Sequence, residues 1–264
     1  MIDSRSFLFI TIDSCRFDTF SDSNIPNMKK IGLLHKAKAP SNFTFGSHAA
    51  MFVGFTPGIP TTNESFLNPK FGKIFKMTNT GFGGKGTEFL KLTGENIIQG
   101  FNTLGYTTIG TGAVGWFDPT TETGHVLGKD FEHFYYPGNS ASLEKQIKWI
   151  DSVIDKHPTK PFFVFINVGE THVPYYFEGA SWDSTDNPCV PFSKDNDVQK
   201  CRTRQKMCLE FIDKKINSLL EKFSDSSVLI CADHGDCWGE DGLWEHGIHH
   251  EKVFTVPLLM RLRK

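Results

Sequence analysis

Four runs of mostly apolar residues recur along the chain, and each predicts a buried strand. They are Phe7–Ile12, Leu104–Gly110, Phe162–Val168 and Ser227–Ala232. Such near-continuous apolar runs are typical of parallel strands that are covered on both faces. A fifth run, Val256–Met260, contains Pro257, and we predict an edge strand there because proline cannot donate a hydrogen bond to a ladder.

Two stretches between these strands carry apolar residues at helical spacing. Ser142–Asp155 and Arg202–Phe223 each have one apolar face, which predicts helices that pack against the sheet. Alternating strands and helices predict an α/β fold with a mostly parallel central sheet flanked by helices on both faces. We predict one domain over residues 1–264, with long insertions near 55–100 and 174–200.

Charge and composition argue against several classes of partner. The net charge is −2 at pH 7, so there is no basic surplus to hold a nucleic-acid backbone. No apolar run is long enough to span a bilayer, and we expect no membrane partner. The six cysteines lack a Cys-x-x-Cys pair, and no apolar leader precedes the first strand. We therefore predict a cytoplasmic protein with reduced thiols, of open oligomeric state.

Polar residues end two of the predicted strands. Asp13 follows the first strand, and Asp233-His234 follows the fourth. Since ligands bind at the carboxyl ends of strands in open α/β sheets, these side chains can converge on a cation. A carboxylate oxygen combined with an imidazole nitrogen suits Zn²⁺ or Mn²⁺ better than Ca²⁺. An aspartate that only caps the next turn is the alternative for Asp13.

Two further segments carry candidate catalytic side chains. Thr44 stands just before an apolar helical stretch that follows Ser47. The helix dipole favours negative charge there, and a metal-bound hydroxyl can act as a nucleophile. A simple N-cap by Thr44 or Ser47 is the alternative. His172 follows the third strand and can ligate a metal or donate to a substrate oxyanion, with a purely structural histidine as the alternative.

These segments, taken in order, resemble the motifs of the alkaline phosphatase/sulfatase superfamily. Asp13 matches the first metal-ligand aspartate, and Asn42–Ala49 resembles the nucleophile motif. Within Asp233–Leu258, the order Asp-His-Gly-Asp, His-Gly, Glu and Val-Pro-Leu is similar to that of sulfatase-like hydrolases and phosphoethanolamine transferases. The motifs touch both ends of the chain. The whole chain resembles small, soluble bacterial sulfatase-like hydrolases with a threonine nucleophile.

The resemblance implies a specific set of site residues. One divalent metal, Zn or Mn first, would be held by Asp13, Thr44, Asp233 and His234. Thr44 would be the nucleophile. Two histidines, His172 and His246, would face the substrate or complete a second metal site.

Thr44 also departs from the sulfatase pattern. Sulfatases oxidise a Cys or Ser within Cys/Ser-x-Pro-x-Arg to formylglycine, which threonine cannot become. Gly46 and His48 stand here instead of Pro and Arg. We therefore predict a metal-dependent hydrolase that uses Thr44 on a small anionic phosphoester or phosphonate-type substrate. The alternatives are a phosphoryl-group transferase or mutase, a sulfatase-like hydrolase in a biosynthetic pathway, and a catalytically silent metal-binding scaffold.

Overall fold

The computed structural model describes residues 2–54, 95–157 and 159–263, together with the backbone of 75–78 and 89–92. The strands are β1 (Phe7–Ile12), β2 (His35–Lys38), β3 (Phe75–Thr78), β4 (Phe89–Leu92), β5 (Thr107–Gly112), β6 (His133–Tyr135), β7 (Phe162–Val168), β8 (Ser227–Ala232), β9 (Cys237–Trp238), β10 (Trp244–Glu245) and β11 (Thr255–Arg261). The α-helices are α1 (Phe17–Asp22), α2 (Pro26–Lys29), α3 (Thr44–Val53), α4 (Ile97–Thr103), α5 (Glu122–Gly128), α6 (Leu143–Ile154), α7 (Val198–Lys222) and α8 (Glu251–Phe254).

Seven of these strands form the central sheet, in the order β2-β11-β8-β1-β7-β5-β6. The five strands from β8 to β6 run parallel to one another, and β11 is antiparallel to both of its neighbours. The predicted α/β fold with a mostly parallel sheet is confirmed. β3 with β4 and β9 with β10 form separate antiparallel pairs.

One predicted strand position and two predicted element boundaries need correction. The predicted edge position of Val256–Met260 is wrong, because β2 pairs with β11 on its outer side. The ladder with β8 begins at Leu258, so the missing N–H of Pro257 interrupts no pairing with β8. The second predicted strand begins only at β5, because Gly105 takes a left-handed φ of 81° where α4 ends. Helix α7 begins before the predicted start because the Asp197 side chain caps its first turn.

Alternating residues of β1 pack on opposite faces of the sheet. Leu8, Ile10 and Ile12 belong to a core cluster that includes the apolar faces of α6 and α7. Phe9 belongs to a second cluster, rich in phenylalanine, that includes residues of α3 and has Phe7 packed against it. Helices therefore cover both faces, and the edge formed by the strand ends is left for polar side chains.

The register aligns the carboxyl ends of the three central strands. Ile12 of β1 lies opposite Val168 of β7 and Ala232 of β8. The residues that follow these strands, Asp13 and Asp233 among them, consequently leave the sheet at the same level. This alignment positions the candidate site.

The two predicted insertions differ in how much of them the structure covers. Residues 55–74, 79–88 and 93–94 of the first insertion lie outside the described residues. Residues 174–197 form a series of turns before α7. Within the described part of the chain, no helix is both long and apolar enough to cross a membrane. The single-domain organisation stays a prediction.

Candidate metal centre

The structure brings the four predicted metal ligands to one place. Donor atoms of Asp13, Asp233 and His234 all lie within 4.8 Å of one another, and the three side chains are buried. Thr44 is the first residue of α3, and its Oγ1 lies 3.4 Å from Oδ2 of Asp13 and 3.3 Å from Nε2 of His234. The hydroxyl therefore shares the space that a cation bound by the other three residues would occupy.

The N-cap alternative for this segment is wrong. Phe43 occupies the N-cap position of α3, and no side chain there accepts a hydrogen bond from the first turn. The Ser47 hydroxyl instead donates to the backbone oxygen of Asp233 at 2.7 Å. Because Thr44 caps nothing, its hydroxyl is available at the positive end of the helix.

The buried Asp233 carboxylate has too few partners for its charge. Oδ2 of Asp233 is buried without a hydrogen bond among the described residues. Burial raises the pKa of Asp233 far above its usual value, and the negative charge of Asp13 raises it further. Burial also raises the pKa of Asp13, but the nearby His172 and His234 and the hydrogen bond from Asn167 outweigh it and hold that pKa below the usual value. A divalent cation fits this pair, because it neutralises both carboxylates and gives the orphaned oxygen a partner.

Three histidines present the tautomer that metal binding or substrate contact requires. Nδ1 of His234 donates to the Gly235 carbonyl at 3.1 Å, and Nδ1 of His172 donates to the Val173 carbonyl at 2.8 Å. Nδ1 of His246 lies 2.8 Å from Oδ1 of Asp236. Since each Nδ1 faces an oxygen acceptor, the lone pair of each neutral ring is on Nε2.

Burial and neighbouring charges shift the pKa values of His234 and His246 in opposite directions. Burial lowers the pKa of His234 well below its usual value, and the charge of His246 lowers it further, so His234 is neutral. Burial also lowers the pKa of His246, but the hydrogen bond with Asp236 and the charges of Asp236, Glu245 and Asp13 together outweigh it, and the net pKa is raised. The ring centroid of His246 lies 4.4 Å from that of His234 and 5.2 Å from that of His172. The two predicted substrate-facing histidines are thus adjacent to the first metal group.

A second group of ligand atoms consists of His234, Asp236 and His246, which also lie within 4.8 Å of one another. Asp236 was not among the predicted ligands. The signal that could have found it is its position two residues after His234, with a glycine between them. The Tyr175 hydroxyl donates to Oδ2 of Asp236 at 2.7 Å, which leaves Oδ1 for His246.

Asn167 and Glu170, two polar residues that precede His172, are engaged with other partners. Asn167 donates from Nδ2 to Oδ2 of Asp13 at 3.1 Å, and its Oδ1 accepts from the backbone N–H of Ala113 at 3.2 Å. Glu170 accepts the N–H of Leu143 at 2.8 Å, at the start of α6. Asn167 therefore hydrogen-bonds to a ligand of the first metal group, whereas Glu170 accepts a hydrogen bond from the first turn of α6.

Other supporting residues lacked a signal in the sequence. The Thr171 hydroxyl donates to the backbone oxygen of Asp13 at 2.6 Å. The backbone N–H of Ser14, a residue with a φ of 56°, donates to Oδ1 of Asp233 at 3.1 Å. Gln205 of α7 donates to the backbone oxygen of Ser14 at 3.0 Å. Gln205 is the exception, because a polar residue within the apolar face of a predicted helix indicates a buried hydrogen-bonding role.

Comparison with known proteins identifies the family. Residues 5–264 match the family model described as Sulfatase, and the chain belongs to the sulfatase family. A search of curated protein sequences finds no match.

Solved structures share the fold at low sequence identity. The C-terminal periplasmic domain of phosphoethanolamine transferase EptC from Campylobacter jejuni has a TM-score of 0.64 and 14% identity, over 98% of this chain and 80% of that chain. The zinc complex of the EcEptC periplasmic domain from Escherichia coli has a TM-score of 0.63 and 13% identity, over 100% and 75%. An alkaline phosphatase superfamily protein from Vibrio parahaemolyticus has a TM-score of 0.60 and 14% identity, over 98% and 60%. These neighbours, one of them described as an alkaline phosphatase superfamily protein, share the fold of this chain.

Proposed function

We propose that this chain is a metal-dependent hydrolase in which the Thr44 hydroxyl attacks the phosphorus of a small anionic phosphoester or phosphonate-type substrate. The observation that carries the proposal is the position of Thr44 Oγ1, 3.4 Å from Asp13 Oδ2 and 3.3 Å from His234 Nε2 at the start of α3. A hydroxyl in this position is a candidate nucleophile because its anion would be stabilised by a cation and by the helix N-terminus.

Four residues, Asp13, Thr44, Asp233 and His234, would hold one divalent ion. Zn or Mn is proposed because the donors combine carboxylate oxygens with imidazole nitrogen. When bound, the ion lowers the pKa of the hydroxyl and offsets charge on the attacked group. A second ion close to His172 and His246 is the alternative to substrate contact by these two histidines, and Asp236 would be a further donor to it. The zinc in the Escherichia coli neighbour is consistent with this choice of metal.

His172 and His246 are proposed to serve the substrate. The free Nε2 of each ring can contact a non-bridging or leaving oxygen, since Nδ1 is held by Val173 or Asp236. Asp236 favours the protonated form of His246, which suits donation of a proton to the leaving alkoxide.

The test compares Thr44→Ala with the matched control Thr44→Ser, each loaded with Zn or Mn. We expect Thr44→Ala to lose roughly three orders of magnitude or more in kcat on aryl phosphodiesters. Thr44→Ser keeps a hydroxyl and should retain most metal and measurable turnover. Metal content by elemental analysis accompanies each assay. Unchanged turnover of fully metal-loaded Thr44→Ala would sink the assignment of the nucleophile.

A phosphoryl-group transferase is the second candidate, favoured by the neighbour that is named as a phosphoethanolamine transferase and spans 98% of this chain. Attack by Thr44 would displace the leaving alkoxide and form a covalent phospho-threonine. In a transferase, the phosphoryl group would then pass from Thr44 to an alcohol and not to water. Product analysis with added acceptor alcohols separates the two candidates, because only a transferase makes the new ester. Aryl sulfates in a parallel assay test the sulfatase-like alternative. Absence of any turnover by metal-loaded protein would favour the silent scaffold.

The setting of the reaction is also proposed. We infer a cytoplasmic protein whose partner is the small substrate, with neither nucleic acid nor membrane required. The neighbours named above include periplasmic domains. Cell fractionation of the native protein decides the compartment, and recovery from the periplasm would contradict this inference.

A further inference from the structure

A buried cluster contacts Asp236 through the hydroxyl of Tyr175. Its residues, called here the Tyr175 cluster, are Tyr175, Cys189, Cys201, Cys208 and Trp238. All six cysteines of the chain are free, and three of them lie in this cluster. The cluster joins the turns of 174–197 to the first part of α7.

Cys189 and Cys201 pack in the same buried cluster. The interaction with the Cys201 side chain, followed by burial, raises the pKa of the Cys189 thiol. The backbone holds the two residues together, because Asp197 donates to the Pro188 carbonyl at 3.0 Å and Cys201 donates to the Asp197 carbonyl at 3.0 Å. The Cys201 thiol also lies 3.4 Å from the same Pro188 carbonyl.

The other cysteines of the region are poorer partners. Cys208 lies two turns further along α7, where the helical rise separates the Cα atoms of Cys201 and Cys208 by on the order of 10 Å, beyond the reach of a disulfide. Cys237 meets the Cys189 thiol through its backbone oxygen, at 3.5 Å. Cys201 with Cys208 is thereby excluded, and Cys189 with Cys201 is the pair that backbone hydrogen bonds through Pro188 and Asp197 hold together.

We propose that Cys189 and Cys201 form a disulfide that ties the turns of 174–197 to α7 when the protein meets a small-molecule disulfide such as oxidised glutathione. One protein thiolate attacks a glutathione sulfur and releases one glutathione thiolate. The second protein thiolate attacks the protein sulfur of that mixed disulfide and releases the second glutathione. The protein loses two electrons and two thiol protons, and the glutathione disulfide takes up both electrons.

The crosslink would stabilise the cluster whose Tyr175 hydroxyl holds Asp236 of the second ligand group. Tyr175 donates to Asp236, and Trp238 Nε1 donates to the Tyr175 oxygen at 2.8 Å. Cys189 and Cys201 pack in the same cluster, so closing this short loop restricts the chain around Tyr175. Closing a loop of this size removes conformations from the unfolded chain and raises Tm.

The experiment exposes the folded protein to oxidised glutathione, then alkylates free thiols and maps peptides by mass spectrometry. We expect loss of two alkylatable thiols, a linked peptide pair containing Cys189 and Cys201, and a rise in Tm of roughly 5–10 °C that a reductant reverses. Cys189→Ser and Cys201→Ser should show no rise in Tm. Cys208→Ser is the matched control, since it removes another buried thiol of the cluster and should respond like the wild type.

Both thiols are buried, so the same mapping is repeated after refolding from urea in a glutathione buffer. The wild-type peptide map is independent of whether any variant folds. A map without the Cys189–Cys201 link after both treatments overturns the proposal. A link between a different pair, or a rise in Tm of Cys189→Ser equal to that of the wild type, overturns it as well.

Discussion

Glu170 is a fully buried carboxyl group whose two oxygens have different surroundings. Oε1 accepts the Leu143 N–H at 2.8 Å, and Oε2 has no hydrogen-bond partner among the described residues. Burial raises the pKa of Glu170 to about 7, against the lowering effect of backbone N–H groups. The folded protein therefore favours the neutral acid where the unfolded chain favours the carboxylate.

This raised pKa predicts a pH dependence of stability. Between pH 4.5 and about 7 the unfolded chain releases the Glu170 proton while the folded protein retains it, so this group lowers stability as pH rises through that window. The free energy of unfolding of Glu170→Gln should rise relative to that of the wild type as pH increases. We expect the difference to grow by about 2–4 kcal/mol from pH 5 to pH 8. Urea unfolding of both proteins in chelator measures the gain. Parallel stability profiles would contradict the buried, protonated Glu170.

His48 shows how a residue at the position of a sulfatase arginine can act without charge. Burial lowers the pKa of His48 to about 4, so the ring is neutral. Its Nδ1 donates to the Thr44 carbonyl at 2.8 Å, and Nε2 accepts from the Thr11 hydroxyl at 2.8 Å. The ring thereby holds the first turn of α3 against β1 without a second cation beside the metal ligands.

At the scale of elements, Arg16 joins three segments around the site. It donates to both oxygens of Asp18, at 2.9 Å and 2.6 Å, and to Oε1 of Glu240 at 2.7 Å. It also donates to the backbone oxygen of Asp236 at 3.2 Å. Lys252 completes the network by binding Asp18 at 2.8 Å. The network therefore connects the segment after β1 with the segments that carry Asp236 and α8.

Replacing Arg16 by Lys keeps the charge but removes the planar fork that these partners need. We expect Arg16→Lys to lower the free energy of unfolding by about 1–3 kcal/mol, because one buried and several partly buried acceptors are left without donors. Chemical denaturation of the metal-free protein measures the loss. The control is Arg5→Lys, whose ion pair with Asp3 is largely exposed, and which should leave the unfolding midpoint unchanged. Equal midpoints for Arg16→Lys and the wild type would count against the network.

At the scale of the whole molecule, the candidate metal ligands come from three elements that lie far apart along the chain. Asp13 follows β1, Thr44 begins α3, and Asp233 follows β8. A metal bound only by the folded protein stabilises it by mass action, by about 2.7 kcal/mol at a hundredfold excess over Kd. Bound metal would therefore tie the two ends of the chain to each other through the centre of the sheet.

We expect removal of metal by chelation to lower Tm, and Zn or Mn to restore it. Thermal melts of dialysed protein with and without each ion measure the shift. The Asp233→Asn variant is the control, since losing one ligand charge should abolish most of the metal-dependent shift. Identical melting with metal and with chelator would argue against a structural contribution of the ion.

The sequence by itself determined the strands and helices whose patterns are local. Phe7–Ile12, Phe162–Val168 and Ser227–Ala232 appear as predicted, because an uninterrupted apolar run has only one stable place, between two layers of helices. The motifs around Thr44 and Asp233 likewise led to the family without knowledge of contacts. These features depend on neighbours along the chain.

Only the tertiary structure decided the features that join distant segments. The inner position of β11 depends on pairing with β2, and the roles of Asn167 and Gln205 depend on which backbone or carboxylate they meet across the sheet. The packing of Cys189 and Cys201 in one cluster likewise arises from the path of the 174–197 turns back to α7. Hydrogen bonds between remote residues leave no periodic trace in a sequence, because their geometry exists only once the chain has packed.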